Sequence, residues 1–173
     1  MRLDLGDCCV RPFVAADAAA LIRHANNRAV WLTLRDRFPH PYTADDATAF
    51  LRAATGQQPP CDLAIATDDE VIGGIGLQRQ SDVHRLTAEI GYWLGEPFWG
   101  RGIATRAVRA VTDWAFATWS LERLYACVFA TNPASARVLE KAGYRFEGRL
   151  RRAVIKDGRV LDQLLYAALR PPT

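Results

Sequence analysis

A strand, a glycine-containing turn, a long helix and a second strand follow one another in the middle of this chain, and no other feature constrains the fold as strongly. The first strand is predicted over Thr87–Leu94, and the turn after it contains Gly100 and Gly102. Apolar residues then recur at helical spacing over Ile103–Trp119, before the apolar strand Leu124–Ala130. This order is that of a β-α-β crossover, whose two strands lie parallel in one sheet. The segment therefore predicts an α/β fold.

The other segments add mostly antiparallel strands to this crossover. Turns at Asp68–Asp69 and Asp157–Gly158 each join two strand-like runs into a predicted hairpin. Thr43, with Asp46 three residues later, opens a helix with a capping-box-like pattern, and the aromatic loop Trp31–Tyr42 precedes it. The predicted order is βααβββαβαββ, with further strands at Val10–Val14, Asp62–Thr67, Glu70–Gln78, Tyr144–Arg152 and Val160–Leu169 and further helices at Asp17–Ala25, Thr43–Ala54 and Asn132–Ala142. We expect a single domain over residues 1–173, with a mixed, mostly antiparallel sheet, a central β-α-β crossover and helices on both faces.

Composition excludes several classes of protein. The 173 residues are 50% hydrophobic and 24% charged, as in globular proteins, and the apolar runs are too short to cross a membrane. A net charge of +3 is too small to indicate nucleic-acid binding without a localised basic patch. Asp4 and Asp7 near the start, without an apolar signal segment, predict a cytoplasmic location. The four cysteines lack zinc-ligand spacing, so no metal site is expected.

The turn Gly95–Thr105 is the clearest indication of chemistry. Unpaired N–H groups at a helix start attract phosphate, and glycines let it approach the backbone closely. An ordinary loop with two turn glycines also explains the pattern. The third glycine or alanine of a dinucleotide-binding fingerprint is replaced by Thr105, and no Gly-Lys-Ser or Gly-Lys-Thr follows, which disfavours nicotinamide, flavin and ATP.

Three segments in order resemble one family. They are AEIGYWL, WGRGIAT and NPASARVLEKAGYRFEG, and the resemblance extends over about Cys8 to Leu169. The chain resembles the GCN5-related N-acetyltransferases (GNAT), and within them the bacterial ribosomal-protein alanine acetyltransferases. Trp99 departs from the Gln or Arg that begins the general family motif, but Trp at this position is usual for the subgroup.

The resemblance implies acetyl-coenzyme A (acetyl-CoA) as donor and no metal. Pyrophosphate is then held by backbone N–H groups around Arg101–Arg106, and pantetheine lies along Glu89–Leu94, where this strand and Leu124–Ala130 splay apart. Backbone N–H groups near Tyr92–Leu94 are candidates to stabilise the oxyanion. The implied cofactor-binding residues are Tyr92, Trp93, Leu94, Arg101, Gly102, Ile103, Ala104, Thr105, Arg106, Asn132 and Ser135.

Two residues are candidate catalytic groups. Glu89, a carboxylate in an apolar strand, is a candidate general base, and a structural hydrogen bond explains it equally well. The resemblance places Ser135 near the coenzyme A sulfur as a candidate proton donor to the thiolate, with water as the alternative, because Leu139 occupies the position of the tyrosine acid found elsewhere in the superfamily. Asn132 is expected to cap a helix begun by Pro133, and the family adds a contact to pantetheine.

Several further residues have two interpretations each. Asp162 is either a second functional carboxylate or a solvent-facing strand residue. The arginines of the strand that begins at Tyr144, with Lys156 and Arg159 near the turn, are expected to form a solvated face; docking an acidic partner or the 3'-phosphate of coenzyme A is the alternative. One group of residues is expected to form either the acceptor wall or a lid that closes the core: Trp31, Arg35, Arg37, Phe38 and Tyr42.

These observations predict an acetyl-CoA-dependent N-acetyltransferase in which a primary amine attacks the thioester directly in a ternary complex. Cys127 has no histidine nearby in the sequence, which disfavours an acyl-enzyme. The predicted acceptor is a protein N-terminal α-amine. A polyamine or aminoglycoside acceptor, or a non-catalytic acyl-CoA binding module, is the alternative, and both a monomer and a homodimer are consistent with the sequence.

Overall fold

The computed structural model describes residues 1–172 and contains one open sheet with helices on both sides. The strands are β1 (Leu3–Asp4), β2 (Cys9–Pro12), β3 (Asp62–Ala66), β4 (Val71–Arg79), β5 (Thr87–Leu94), β6 (Arg123–Phe129), β7 (Arg145–Lys156) and β8 (Arg159–Leu169). The helices are α1 (Ala18–Ala25), α2 (Arg28–Trp31), α3 (Ala44–Thr55), α4 (Ile103–Thr118) and α5 (Pro133–Lys141).

The strand order in the sheet is β1-β2-β3-β4-β5-β6-β8-β7. Strands β5 and β6 run parallel and are connected by α4, whereas every other neighbouring pair is antiparallel. The predicted α/β class, the mostly antiparallel mixed sheet and the central β-α-β crossover are therefore confirmed.

Strand β3 shows why helices cover both faces. Because side chains alternate along a strand, Leu63 and Ile65 pack in the core that contains α4 and α5, whereas Ala64 and Ala66 pack on the opposite side with α1 and α3. Small alanines on that side let the two helices approach the sheet closely. The predicted placement of helices on both faces is confirmed.

The sequence pattern does not predict the shortest elements, because tertiary contacts rather than periodicity stabilise them. Strand β1 pairs with β2 through only two residue pairs, and the single turn of α2 is capped by Asn27, whose side chain accepts hydrogen bonds from the N–H groups of Ala29 and Val30. The predicted capping box of α3 is present, with the N–H of Asp46 donating to Thr43 Oγ1 at 3.3 Å.

Among residues 1–172, no helix combines the length and apolar character that crossing a membrane requires. In the same range, no three His, Cys, Asp or Glu side chains are grouped so that they could hold a metal ion.

Candidate active site

Strands β5 and β6 pair over only three residues and then separate. The pairs are Thr87 with Arg123, Ala88 with Leu124 and Glu89 with Tyr125. Both strands continue beyond this point, to Leu94 and Phe129, without further pairing to each other. The sheet therefore contains a wedge-shaped opening whose narrow end is the Glu89–Tyr125 pair.

The register of β4 and β5 determines which backbone groups face this opening. Gln80 donates to the carbonyl of Thr87, and Gly95 donates to that of Ile72, which fixes the hydrogen-bonded positions of the antiparallel pair. By the alternation of such pairs, Trp93 bonds to Gly74 of β4, while the N–H and C=O groups of Tyr92 point toward β6.

Leu94 shares the orientation of Tyr92, and its carbonyl accepts a hydrogen bond from Trp99 Nε1 at 2.7 Å. Its N–H therefore lies along the opening. Among the three predicted residues, Tyr92 and Leu94 thus direct backbone groups toward the opening, whereas the backbone of Trp93 is paired with β4. The indole of Trp93 instead packs against Phe38 on the face that carries α1 and α3.

The wide end of the opening leads to the glycine turn. Gly100 and Gly102 have φ angles of +77° and +73°, a left-handed conformation that favours glycine. Gly102 is the N-cap of α4 and contributes no side-chain cap, and the first helical hydrogen bond runs from the N–H of Arg106 to the carbonyl of Gly102 at 3.1 Å. The N–H groups of Ile103, Ala104 and Thr105 therefore have no acceptor within the helix and are available to an anion.

Arg106 differs from the residues before it, because its N–H is already used inside the helix. Its guanidinium donates to the carbonyl of Arg101 at 3.2 Å and forms an ion pair with Asp7. The N–H of Arg106 is thus not free for the predicted backbone contact with pyrophosphate. Arg101 packs its guanidinium over the ring of Phe98 beside the turn.

The start of α5 brings a hydroxyl to the other side of the opening. Asn132 Oδ1 accepts from the N–H of Ser135 at 3.1 Å, as expected for the N-cap. Ser135 Oγ lies 2.8 Å from the Tyr92 hydroxyl, which also donates to the carbonyl of Ser135 at 3.1 Å. Leu139 is fully buried, so the position of the superfamily tyrosine is part of the core.

The side chain of Tyr92 is the site feature that sequence reasoning missed. Burial raises the pKa of its hydroxyl well above the ordinary value, which keeps it protonated near neutral pH. The sequence contained a signal, because the alternation of β5 sends Tyr92 to the same side as the apolar Ile90. A partner for its hydroxyl on α5 followed only from the tertiary packing.

Glu89 is paired with an arginine of the loop that follows α2. Its side chain is 14% exposed, and its carboxylate accepts a hydrogen bond from the guanidinium of Arg35. Cys127 lies nearby on β6; burial and the charge of Glu89 raise the pKa of its thiol, partly opposed by Arg35. The thiol therefore stays protonated near neutral pH, which makes it a poor nucleophile.

A cavity of about 740 Å³ opens from the wedge toward the loop after α2. Its lining includes Arg35, Arg37, Phe38, Tyr42, Glu89 and Ser135. Both candidate catalytic residues therefore border one continuous space that is large enough for a small ligand or the end of a peptide.

Comparison with known proteins agrees with this geometry. Residues 7–145 match the family model described as an acetyltransferase (GNAT) domain. The chain belongs to the GNAT acetyltransferase family.

Several curated relatives of this chain are named as acetyltransferases. YjcK of Bacillus subtilis strain 168, a probable N-acetyltransferase, is 42% identical over 106 residues, which are 61% of this chain and 59% of YjcK. The ribosomal-protein-serine acetyltransferase of Escherichia coli strain K12 is 34% identical over 105 residues, which are 61% of this chain and 58% of that protein. The matches thus span less than two thirds of these relatives.

A solved structure extends the likeness over nearly the whole chain. RimJ of Mycobacterium smegmatis, in complex with CoA-disulfide, superposes with a TM-score of 0.83 at 26% identity and covers 94% of this chain and 81% of its own. The predicted resemblance to GNAT proteins, and to the ribosomal-protein acetyltransferases within them, is confirmed.

The predictions for Trp31 and Lys156 require correction. Trp31 does not line the cavity; its ring stacks on His40 and lies 3.6 Å from Lys156 Nζ. Lys156 is not part of a solvated face, because it is only 2% exposed and donates to Asp36 Oδ1 at 2.7 Å. The loop Trp31–Tyr42 folds back over the end of the β7–β8 hairpin, which encloses both side chains.

Asp162 has a structural partner in the sheet of the GNAT domain. It accepts from the N–H of Arg152 at 2.7 Å and from Arg149 Nε at 2.6 Å, where β7 bulges away from β8. These bonds, the one from the Arg152 backbone first, lower the pKa of the carboxyl. Asp162 is not among the residues that line the cavity, so it stabilises the bulge rather than facing the opening.

Proposed function

We propose that this GNAT protein transfers an acetyl group from acetyl-CoA to a primary amine by direct attack in a ternary complex, and that the amine is the N-terminal α-amine of a protein. The observation that carries the proposal is the opening between β5 and β6, which begins after Glu89 and is bordered by Ser135. One wall is a strand edge and its wide end is a helix start with free N–H groups. This combination suits a peptide-like chain that ends in a pyrophosphate.

Backbone groups of this chain would hold the donor. The N–H groups of Ile103–Thr105, with the turn at Arg101 and Gly102, would bind the pyrophosphate. The edge groups of Tyr92 and Leu94 would bond to the pantetheine amides, and one of their N–H groups would stabilise the oxyanion that forms when an amine attacks a thioester. Asn132 contributes to this arrangement mainly by fixing the start of α5.

Ser135 and Tyr92 would have different roles at the leaving group. Ser135 Oγ would donate a proton to the departing thiolate, while the Tyr92 hydroxyl orients it through the 2.8 Å hydrogen bond. The raised pKa of Tyr92 makes this residue a poor acid, so its role is positioning. The protonated thiol of Cys127 supports direct attack over an acyl-enzyme.

Glu89 would receive the proton of the amine, directly or through water. Its place at the narrow end of the opening, with only 14% exposure, suits a base that acts away from bulk solvent. The hydrogen bond to Arg35 supports a second role, that of fixing the loop after α2.

The α-amine is favoured over a lysine side chain by proton equilibria. An α-amine has a pKa of about 7.7–8.0 and a lysine of about 10.4, so near pH 7 the neutral fractions differ by about 300-fold. A site with one candidate base and no tyrosine acid is better matched to the less basic amine.

Two peptides of otherwise equal sequence test the proposal with thiol release from acetyl-CoA as the readout. One has a free Ala or Ser N-terminus and a blocked lysine; the other has a blocked N-terminus and a free lysine. We expect turnover of the first alone. Acetylation of the second alone, or of spermidine or an aminoglycoside but neither peptide, would replace the α-amine by another acceptor. Coenzyme A binding without turnover of any amine would indicate a binding module.

A further inference from the structure

Two arginines enter the acceptor cavity from one turn of the loop after α2. The sequence there is Arg35-Asp36-Arg37, and the N–H of Phe38 closes the turn by donating to the carbonyl of Arg35 at 3.0 Å. Arg35 and Arg37 both line the cavity, whereas Asp36 does not. The turn therefore places two arginines along the cavity, whereas Asp36 lies outside it.

The carboxylate of Asp36, which lies outside the cavity, fixes the turn. Asp36 accepts from Lys156 Nζ at 2.7 Å, and the same ammonium lies over the Trp31 ring with 2% of the lysine side chain exposed. Arg28 of α2 forms a second ion pair to the same hairpin, with Asp157 at 2.7 Å. The loop is thus anchored on its outer side, and the arginines on its inner side are held toward the cavity.

Two of the carboxylates that line the cavity each accept hydrogen bonds through one oxygen from uncharged donors of this chain. Asp46 Oδ2 accepts from the N–H and the hydroxyl of Thr43, at 2.8 and 2.6 Å. Asp62 Oδ2 accepts from Gln57 Nε2 at 2.9 Å.

The third cavity carboxylate, Glu89, accepts from Arg35, as described above. Among residues 1–172, Arg37 forms no ion pair. The cavity lining therefore includes an arginine that forms no ion pair among these residues, while an incoming ammonium must compete with Arg35 for Glu89.

An acceptor that carries its own carboxylate resolves this competition. A guanidinium binds a carboxylate through two parallel hydrogen bonds, so an acceptor carboxylate can draw Arg35 away from Glu89 and bind Arg37 as well. Glu89 is then free to bind the ammonium of the same molecule. An acceptor with amines alone, such as a polyamine, has no group for either arginine.

We propose that the acceptor is a primary amine whose molecule also carries a carboxylate, bound by Arg35 and Arg37 while its amine faces Glu89. The inference rests on the proposed acetyltransferase function and deepens it. The carboxylate has two possible sources, the acidic side chain of a protein N-terminus or a free dicarboxylic amino acid, and the chemistry that recognises it is the same.

The test compares acceptors with and without a carboxylate. Two lysine-free, C-terminally amidated peptides begin Ala-Asp and Ala-Asn, and free aspartate is compared with asparagine amide, which carries no carboxylate. For the acidic member of at least one pair we expect a kcat/KM higher by about tenfold to a hundredfold, the range typical of one hydrogen bond to a charged group. The peptide pair reports a protein source, and the amino-acid pair reports a small-molecule source.

Variants then assign the preference to the cavity. Arg37→Gln should abolish the preference by lowering the rate for Ala-Asp to about that for Ala-Asn. Arg37→Glu should instead favour a matched Ala-Arg peptide, whose guanidinium carries the opposite charge and is not acetylated. Arg85→Gln, in the exposed turn before β5, is the matched control and should keep the preference. Equal rates within both pairs, or a preference that survives in Arg37→Gln, would overturn the proposal. If no amine is acetylated at all, the proposed function itself fails.

Discussion

The proposed donor side and the proposed acceptor side of this protein consist of different kinds of chemical group. The donor side consists of backbone groups from residues close together in the chain, such as Tyr92 and Ile103–Thr105, together with a helix cap. The acceptor side consists of side-chain contacts between distant residues: Arg35 and Glu89 are 54 positions apart, and Lys156 and Asp36 are 120 apart. Binding by backbone depends on conformation, whereas binding by side chains depends on residue identity.

This difference predicts how each side responds to substitution. A backbone site tolerates changes of side chain except where a glycine conformation is needed, so it can stay constant while the rest of the protein diverges. A site made of ion pairs changes its selectivity with a single residue. The two sides can therefore be separated experimentally by variants that affect one and leave the other intact.

Gly102→Glu should have the largest effect and act on the donor side alone. A side chain at a φ of +73° is strained, and its carboxylate repels a phosphate at the helix start. We expect coenzyme A affinity to fall by about a hundredfold or more, as two or more charge-assisted hydrogen bonds are lost. Calorimetric titration measures it.

Gly158→Glu is the matched control, because Gly158 has a φ of +72° in the turn between β7 and β8. It should carry a similar backbone strain and keep the affinity for coenzyme A. Unchanged affinity in a folded Gly102→Glu variant would remove the pyrophosphate assignment.

Ser135→Ala should lower kcat by about a hundredfold, which is at the lower end of the range for loss of a general acid. Coenzyme A affinity should stay within about twofold.

Tyr92→Phe should lower kcat by about tenfold, because Ser135 loses its orientation but keeps its proton. Since the raised pKa keeps Tyr92 protonated near neutrality, the shape of the pH–rate profile between pH 6 and about 9 should stay the same in Tyr92→Phe. A lost ionisation in that range would make Tyr92 the acid.

Glu89→Gln and Arg35→Gln separate the two roles of Glu89 on the acceptor side. If Glu89 receives the amine proton, Glu89→Gln should lower kcat by about a hundredfold and change the acidic limb of the pH–rate profile. Arg35→Gln should then mainly raise KM. If Glu89 acts only by fixing the loop through Arg35, both variants and the double variant should show one common defect.

Asp36→Asn should have the smallest effect, on stability. It leaves the buried ammonium of Lys156 without a charged partner. We expect a loss of about 1–2 kcal/mol in the free energy of unfolding, below the usual cost of breaking a buried pair because Asp36 is largely exposed. Lys156→Met removes the charge and should cost less than about 1 kcal/mol. Urea unfolding measures both, and an equal loss in the two variants would contradict the assignment of the cost to the unpaired charge.

The sequence predicted the secondary structure of the proposed donor side well, because its determinants are local. A glycine turn before a helix, Asn before Pro, and period-two alternation along Thr87–Leu94 each act over a few residues, and the structure has the strand and helix there nearly as predicted. Even so, the availability of individual N–H groups at Trp93 and Arg106 depended on strand register and on the first helical bond.

The acceptor side was predicted only as a list of residues. Nothing in the sequence indicates that Lys156 is buried, or that Trp31 faces this lysine rather than the cavity, because both facts follow from a loop meeting a hairpin far along the chain. The pairing of Arg35 with Glu89 arises in the same way. Residue type thus indicated which side chains could take part in the site. Only the tertiary structure showed which side chains they contact.

The opening between β5 and β6 also gives the sheet an internal edge, in addition to its outer edges at β1 and β7. Unpaired edges invite other chains to add a strand and aggregate, and the outer ones are blunted by the shortness of β1 and by the bulges and arginines of β7. The internal edge is covered differently. On the face of the sheet that carries α5, the hydroxyl of Tyr92 on β5 is hydrogen-bonded to Ser135 at the start of α5. We expect a helix fixed at this place to hinder a second chain from pairing along β5, while the edge groups of β5 stay unpaired within the sheet.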